Sequence, residues 1–418
     1  MRETKQLEFK ETTNTNSFLK TVSAFANENG GTILFGVDDD GNICGITAPE
    51  RAALDLENKI NDSIQPRPDY TIDILPDNTI RLTVQAGPFK PYLYKNKAYK
   101  RSNAATVPVD QLEYNRLVLA GSHRSFEELP ASDQNLSFHT LSAALTERIQ
   151  LSAFTMDILK TLELYSDSIG FNNAAALLAD QNTFPGIDIV RFGDSINEIM
   201  ERRTIAGVSL LTQLNEGLNI FRTYYQYERI DGATREQHDK IPEEAFREAL
   251  ANALVHRTWD VPAAIRVSMH PDRITVHSPG GLPPGISETE YLRGQLSILR
   301  NPIIASAFFR LHYIEKFGTG ILRIMNAYRD TFIKPTFTVS ENAISVTLPI
   351  CDIANTALTS DETHILNLLS KHGTMNRAAI DTSTGFDKAK SLRLLNSLLA
   401  KQLIKKSGKG PATTYTLP

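Results

Sequence analysis

The sequence predicts a multi-domain α+β protein: an α/β unit at the N-terminus, a second α/β unit in the centre, and a small helical module closed by a two-stranded ribbon. Three observations predict it. The chain has 418 residues, more than one ordinary core accommodates at about 150 residues per domain. Apolar spacing switches repeatedly between helical and strand periods. Positive charge also collects at one end: residues 361–418 hold nine Lys/Arg against four Asp/Glu, whereas the whole chain carries a net charge of −4. The boundaries read as 1–115, 116–200, 201–354 and 355–418, with 116–200 a helical linker or middle region.

Composition excludes several classes. Apolar residues at 41% and charged residues at 22% are ordinary for globular chains, and the overall charge argues against a uniformly basic nucleic-acid coat. Cys44 and Cys351 fall in different units without metal-ligand spacing and read as free thiols. No stretch reaches the eighteen or so apolar residues of a membrane span, and Met1-Arg2-Glu3-Thr4-Lys5 has no apolar signal core. A cytoplasmic location and no membrane partner are expected.

In the first unit, Ser17 to Glu28 has a helical stripe of Phe18, Leu19, Val22, Phe25 and Ala26. Gly30-Gly31 stops it, and Thr32 to Val37 reads as a strand. Asp39-Asp40-Gly41-Asn42 then suits a hairpin returning over Ile43–Ile46. A helix follows from Pro49 to Ile64, then strands at Thr71–Leu75 and Ile80–Gln85. Lys90, Lys95, Lys97, Lys100 and Arg101 interleave with Tyr92, Tyr94 and Tyr99. Such a strip can neutralise phosphates and stack on unpaired bases, or it can be a hairpin with ordinary exposed lysines.

Glu3, Glu8-Phe9-Lys10, Val22 to Asn27 and Gly30 to Asp39, with Pro91-Tyr92 and Tyr99-Lys100-Arg101-Ser102, resemble the Schlafen AlbA_2 domain over residues 1–110. The resemblance implies a nucleic-acid-binding unit. Some Schlafen relatives hold a nuclease metal on acidic residues, which would fall here on Glu3, Glu8 and Asp39, with Asp38 as a neighbour. The plainer reading is that Glu3 caps or frays and that Asp38 to Asp40 shape a turn.

In the central unit, Pro242 can open a helix continuing to Val255. Strands Ala264–Met269 and Arg273–His277 flank a His270-Pro271-Asp272 turn. A helix near Asn301–Phe309, a glycine-marked helix start at Gly318 and a strand at Ala343–Leu348 complete it. Glu248, Asn252 and His256 recur at i, i+4 and i+8 and share one helical face. An amide oxygen can ligate Mg²⁺ and a carboxylate can orient water, although a solvated polar face has the same pattern. Gly318-Thr319-Gly320 can bring backbone N–H groups to a phosphate.

Four blocks in this order resemble a GHKL-type ATPase domain, more closely the branch related to the C-terminal part of RecG-related proteins. They are Pro242 to Arg257, His277-Ser278-Pro279-Gly280-Gly281-Leu282-Pro283, Arg300-Asn301-Pro302, and Glu315 to Ile321. The resemblance implies an α/β sandwich that binds ATP with Mg²⁺. Glu248 is then the water-activating base and Asn252 the Mg²⁺ ligand. His256, Ser278, Gly280, Gly281, Arg300, Asn301, Gly318, Thr319 and Gly320 line the nucleotide, and residues 282–316 form a mobile lid. Ser278 stands where GHKL domains place the Asp that reads the adenine amino group.

At the C-terminus, helices are expected from Asp361 to near His372, around Asn376–Asp381, and from Asp387 to Lys401. A ribbon of Leu403–Lys406 and Thr413–Leu417 follows, turning at Gly408-Lys409-Gly410-Pro411. This stretch resembles a winged helix. Its third helix would offer Lys388, Lys390, Ser391 and Arg393 to the major groove, and Lys405, Lys406 and Lys409 would touch phosphate.

The favoured reading is a nucleotide-sensing, DNA-binding transcriptional regulator, for which the resemblances imply a homo-oligomer, a dimer in the simplest case. Two other readings compete. One is a Schlafen-like metal-dependent nuclease acting on RNA or DNA. The other is a non-catalytic protein-interaction scaffold.

Overall fold

A computed structural model describes residues 2–417 except 152, 232–233, 284, 295–297, 316–317, 332, 352–357, 402 and 409, and the side chains of 231, 370 and 411. The chain divides into two units, Met1–Leu129 and Pro130–Pro418.

The first unit is built on a four-stranded sheet, in the order Leu7–Lys10, Gly31–Phe35, Ile80–Val84 and Tyr70–Ile74. The first pair is parallel and the others antiparallel. The helix Phe18–Asn27 is buried almost all round, because its apolar stripe faces the sheet while Ser23 and Asn27 spend their polarity on one chain segment. The Asn27 side chain accepts from Tyr92 N at 2.7 Å and donates to Tyr92 O at 2.9 Å, and Ser23 Oγ donates to the same carbonyl at 2.7 Å. Gly31 ends this helix–strand turn because a Cβ there would stand 2.6 Å from the Phe25 ring. The expected hairpin after Val37 shrinks to one bridge, Val37 with Ile43. Asp38 closes the turn itself, accepting from Asp40 N, Asn42 N and Asn42 Nδ2, an Asx-type closure that needs no returning strand.

The second unit contains a six-stranded sheet. Its order is Ile199–Ile205, Ile187–Phe192, Ile265–Met269, Arg273–Pro279, Ala343–Pro349 and Thr336–Val339. Only the Ile187–Phe192 and Ile265–Met269 pair is parallel. The sheet therefore begins at Ile187, and a boundary at residue 200 would cut its first hairpin. Period-two alternation turns Ile187, Ile189, Ile265, Val267, Met269, Ile274, Val276, Val346 and Leu348 inward. Helices Leu210–Tyr225 and Glu243–His256 pack with them. Phe221 stacks on Phe246 with centroids 4.6 Å apart. Gly217 lets the two helices close up, since a Cβ there would lie 2.6 Å from Leu250 Cδ2.

Residues from Thr359 onward have their own apolar cluster, including Ile365, Leu366, Leu369, Ile380, Leu395, Leu398 and Tyr415. Helices Ser360–His372, Arg377–Thr384 and Lys388–Ala400 are each opened by a side-chain cap, from Thr359, Asn376 and Asp387. The expected two-stranded ribbon gains a third member: Met375–Asn376 pairs with Thr414–Thr416, which pairs with Lys405–Ser407. Among the described residues, no helix is long and apolar enough to cross a membrane.

Candidate functional site

The helix Glu243–His256 positions the central site. Ala245, Ala249, Leu250, Ala253 and Leu254 are buried, which turns Glu248, Asn252 and His256 together into one cavity. Its other walls are the strand residues Val276 and Ser278, the Gly280-Gly281 turn, Leu282, Ile286, Tyr291 and Ile298 from the segment expected to form a lid, and Gly318 and Gly320. The volume is about 120 Å³, below the roughly 300–1,000 Å³ of typical ligand pockets.

Glu248 is buried, and Asn252 Nδ2 donates to its Oε1 at 3.3 Å. Burial raises the carboxyl above its ordinary value, while Arg247 and Arg323 pull it back down. Gly320 opens the helix Gly320–Ala327 directly against this pair. A Cβ there would lie 2.5 Å from Asn252 Nδ2 and 2.7 Å from Glu248 Oε1. The missing side chain thus lets the backbone approach an amide and a carboxylate; with the amide turned so that its oxygen faces this space, the pair is a donor set suited to Mg²⁺. His256 is pushed down to about 4 by desolvation and by Arg300, so its imidazole is neutral at pH 7.

Several expected nucleotide ligands serve as framework instead. Arg300 donates to His256 O at 3.1 Å, Thr258 Oγ1 at 2.7 Å and Gly281 O at 2.8 Å, so it fastens the glycine turn to the end of the helix. Gly280, at φ +106°, has no room for a Cβ between Thr258 and Arg300. Asn301 is buried and donates to Val255 O at 2.7 Å and Arg257 O at 2.9 Å, closing the helix C-terminus. Ser278 reaches the cavity, but its hydroxyl donates to Ala253 O at 3.1 Å. Thr319 stands at the N-cap without lining the cavity. The apolar lid wall of Ile286, Tyr291 and Ile298 escaped the sequence reading. A capping box at Ser287–Glu290 was its available signal.

The acidic trio of the first unit does not come together. Among the described residues no group of three His, Cys, Asp or Glu side chains could hold a metal. Glu3 Oε1 accepts from Phe9 N at 2.8 Å, and Asp39 is exposed in the turn. Glu8 is buried against Arg101, with Lys10 at 2.7 Å and Thr21 Oγ1 at 2.8 Å. Arg101 is consequently a core cation and not a phosphate contact. Tyr92, Tyr94 and Tyr99 also belong to the core cluster, so the expected stacking strip is closed. Lys100 pairs with Glu113, and Lys97 stays exposed.

In the C-terminal module Lys388, Arg393, Lys405 and Lys406 are exposed. Lys390 is half-buried, 2.7 Å from Asp361 Oδ2 and 3.9 Å from the Phe386 ring centre. Ser391 is fully buried, in the same stripe as Leu395 and Leu398, and cannot reach a groove. Lys409 lies outside the described residues.

Two family models match the chain. Residues 3–110 match Schlafen, AlbA_2. Residues 263–348 match the model described as Putative ATP-dependent DNA helicase recG C-terminal. The N-terminal segment is thus similar to a Schlafen AlbA_2 domain and the later one to a RecG-related ATPase-like domain, in that order. No curated protein matches. Among solved structures, the DIP2311 protein from Corynebacterium diphtheriae is 19% identical, covering 99% of this chain and 92% of that one with a TM-score of 0.49. The N-terminal domain of a RecG-related protein from Nitrosomonas europaea is 23% identical over 27% of this chain and 84% of that one, with a TM-score of 0.21.

Proposed function

We propose that this chain is a DNA-binding regulator whose central pocket takes a Mg²⁺–nucleotide, ATP in the first instance. The observation that carries the reading is the convergence of Glu248, Asn252, Gly318 and Gly320 on one cavity, with the Cβ-free face of Gly320 against the carboxylate–amide pair. Asn252 would hold the metal and Gly318 and Gly320 the phosphates. Mg²⁺ supplies charge neutralisation of the phosphate oxygens when bound. Glu248 makes no ion pair at contact distance among the described residues and can orient a water. Ser278 offers a hydroxyl already committed to the helix backbone, so the base is read weakly.

The small cavity makes nucleotide binding and lid opening one event, which is how occupancy would shift the arrangement of the chain. The C-terminal three-helix module would act as the winged helix that contacts DNA. Its usable cations are Lys388 and Arg393 on the third helix and Lys405 and Lys406 on the ribbon. A cytoplasmic homo-oligomer, simplest as a dimer, fits a regulator of this kind.

Calorimetric titration with ATP or GTP, with and without Mg²⁺, tests the reading. Wild type should bind both within about tenfold of each other, because a site that lacks a buried base-reading partner discriminates weakly. Asn252→Ala and Gly320→Ala should weaken Mg²⁺–nucleotide at least about tenfold. Absence of heat from wild type at millimolar nucleotide removes the sensor. For DNA, Lys388→Ala with Arg393→Ala should weaken binding and flatten its salt dependence; an unchanged salt slope removes this module from the interface.

A further inference from the structure

A second cavity, of about 530 Å³, opens on the other side of the Glu243–His256 helix and shares no lining residue with the nucleotide pocket. Arg148, Arg222, Arg247 and His312 converge on it, with Asn215 and Asn219 between them. Glu243 is the one acid in this wall, and it is already satisfied. Arg222 Nη2 lies 2.5 Å from its Oε1, and Gln226 Nε2 donates to its Oε2 at 2.6 Å. Among the described residues the other two guanidinium groups make no ion pair at contact distance, although Arg247 acts across space on Glu243 and Glu248. Arg148 lies 4.2 Å from the Tyr313 ring centre and gives one N–H to Leu311 O at 3.2 Å. That arrangement fixes its plane and leaves its other donors over. Arg247 carries a buried Nε with no hydrogen-bond partner.

Burying a guanidinium donor without an acceptor is costly; Arg101, Arg191 and Arg257 have the same unpartnered Nε, so the convergence of cations on one hollow is what marks the place. Arginine forks match the paired oxygens of a phosphate, and the amides of Asn215 and Asn219 add neutral donors. Leu218 and Tyr313 give the cavity an apolar side able to carry an organic remainder.

We propose that this cavity is a binding site for a small phosphorylated molecule, held by Arg148 and Arg247. The volume of about 530 Å³ is that of a small-ligand site, with Arg148, Asn215, Asn219, Arg222 and His312 exposed at its mouth. The inference does not depend on the nucleotide reading, since the two cavities have separate walls.

The test is titration of pyrophosphate and of ribose 5-phosphate into the full chain at low salt, in the wild type, Arg247→Met, Arg148→Met, Arg148→Lys and Asn252→Ala. Wild type and Asn252→Ala should bind alike. The two methionine variants should bind about tenfold or more weakly while keeping the wild-type thermal midpoint, and Arg148→Lys should recover part of the loss. Three results overturn the proposal. One is wild-type affinity in both methionine variants. Another is loss in Asn252→Ala alone, which would put the anion in the nucleotide pocket. The third is competition by a 5′-phosphorylated single strand without binding of ribose 5-phosphate, which would assign the site to nucleic acid. If Arg247→Met unfolds, Arg148→Met and its lysine counterpart decide the matter.

Discussion

Glu8 and Glu248 are about equally hidden from solvent, at 5% and 3% exposure, yet their surroundings are opposite. Around Glu8 the oxygens are saturated: Arg101, Lys10 and Thr21 all point at them, and Arg101 is held further by Thr106 Oγ1 at 2.8 Å and Thr4 O at 3.1 Å. Glu248 receives a single amide contact from Asn252 and faces a cavity. A buried carboxylate held by two cations and a hydroxyl is part of the fold, whereas one left short of partners beside open space is available for chemistry. Sequence alone ranks both as candidates. Only the partner count separates them.

The contrast can be broken by substitution. Glu8→Ala should cost about 3–5 kcal/mol, the usual penalty for stranding one half of a buried ion pair. Urea unfolding should show it in the first unit, and replacing Arg101 by Met at the same time should return a large part. If Glu8→Ala folds as stably as wild type, the carboxylate is not structural and the comparison fails.

Glu362 extends the saturated class to the C-terminal module. Burial alone would raise its carboxyl. Lys401, Ser397 and Thr359 N outweigh that and hold it down at about 2, against an ordinary 4.5. Its stabilisation is therefore complete above pH 4.5 and lost as pH falls towards 2. At about 1.36 kcal/mol per unit it is worth about 3 kcal/mol at neutral pH. Glu362→Gln should remove most of this at pH 7 and converge with wild type in acid unfolding curves. A gap that persists at pH 2 would point to packing instead.

The smallest effect should come from Glu248→Gln. Its folded carboxyl is raised by burial, so the fold bears an ionised buried group only as pH climbs through that raised value. The variant should match wild type near pH 4.5 and unfold at a slightly higher temperature at pH 8. If the proposed nucleotide site holds, binding of Mg²⁺–nucleotide should survive the change. Destabilisation at pH 8 would place Glu248 beside Glu8 after all.

Much of this was legible in the chain. The i, i+4, i+8 spacing of Glu248, Asn252 and His256 survived intact because a helix fixes side-chain direction every 3.6 residues. Gly318 and Gly320 were legible for the same local reason. Arg101 was misread because its charge outweighed its phase: it shares a strand face with Tyr99, and that face is inward. Ser391 failed likewise, lying four residues before Leu395 in a buried stripe. Arg300 and Asn301 carried site-like chemistry, but their acceptors are backbone carbonyls and the Thr258 hydroxyl, 19 to 46 residues away in sequence. No local pattern announces such partners. The hairpin from Ile187 to Ile205 was invisible for a related reason, since its parallel neighbour begins only at Ile265.

Gly217 lines neither cavity, yet both hang their polar groups from the rod that leans on it at Leu250. A methyl group there would press on the end of the Leu250 side chain, which would have to turn away for the two helices to keep their separation. The close approach of the helix that serves both chambers thus rests on a carbon atom left out, at a position that chemistry alone would pass over.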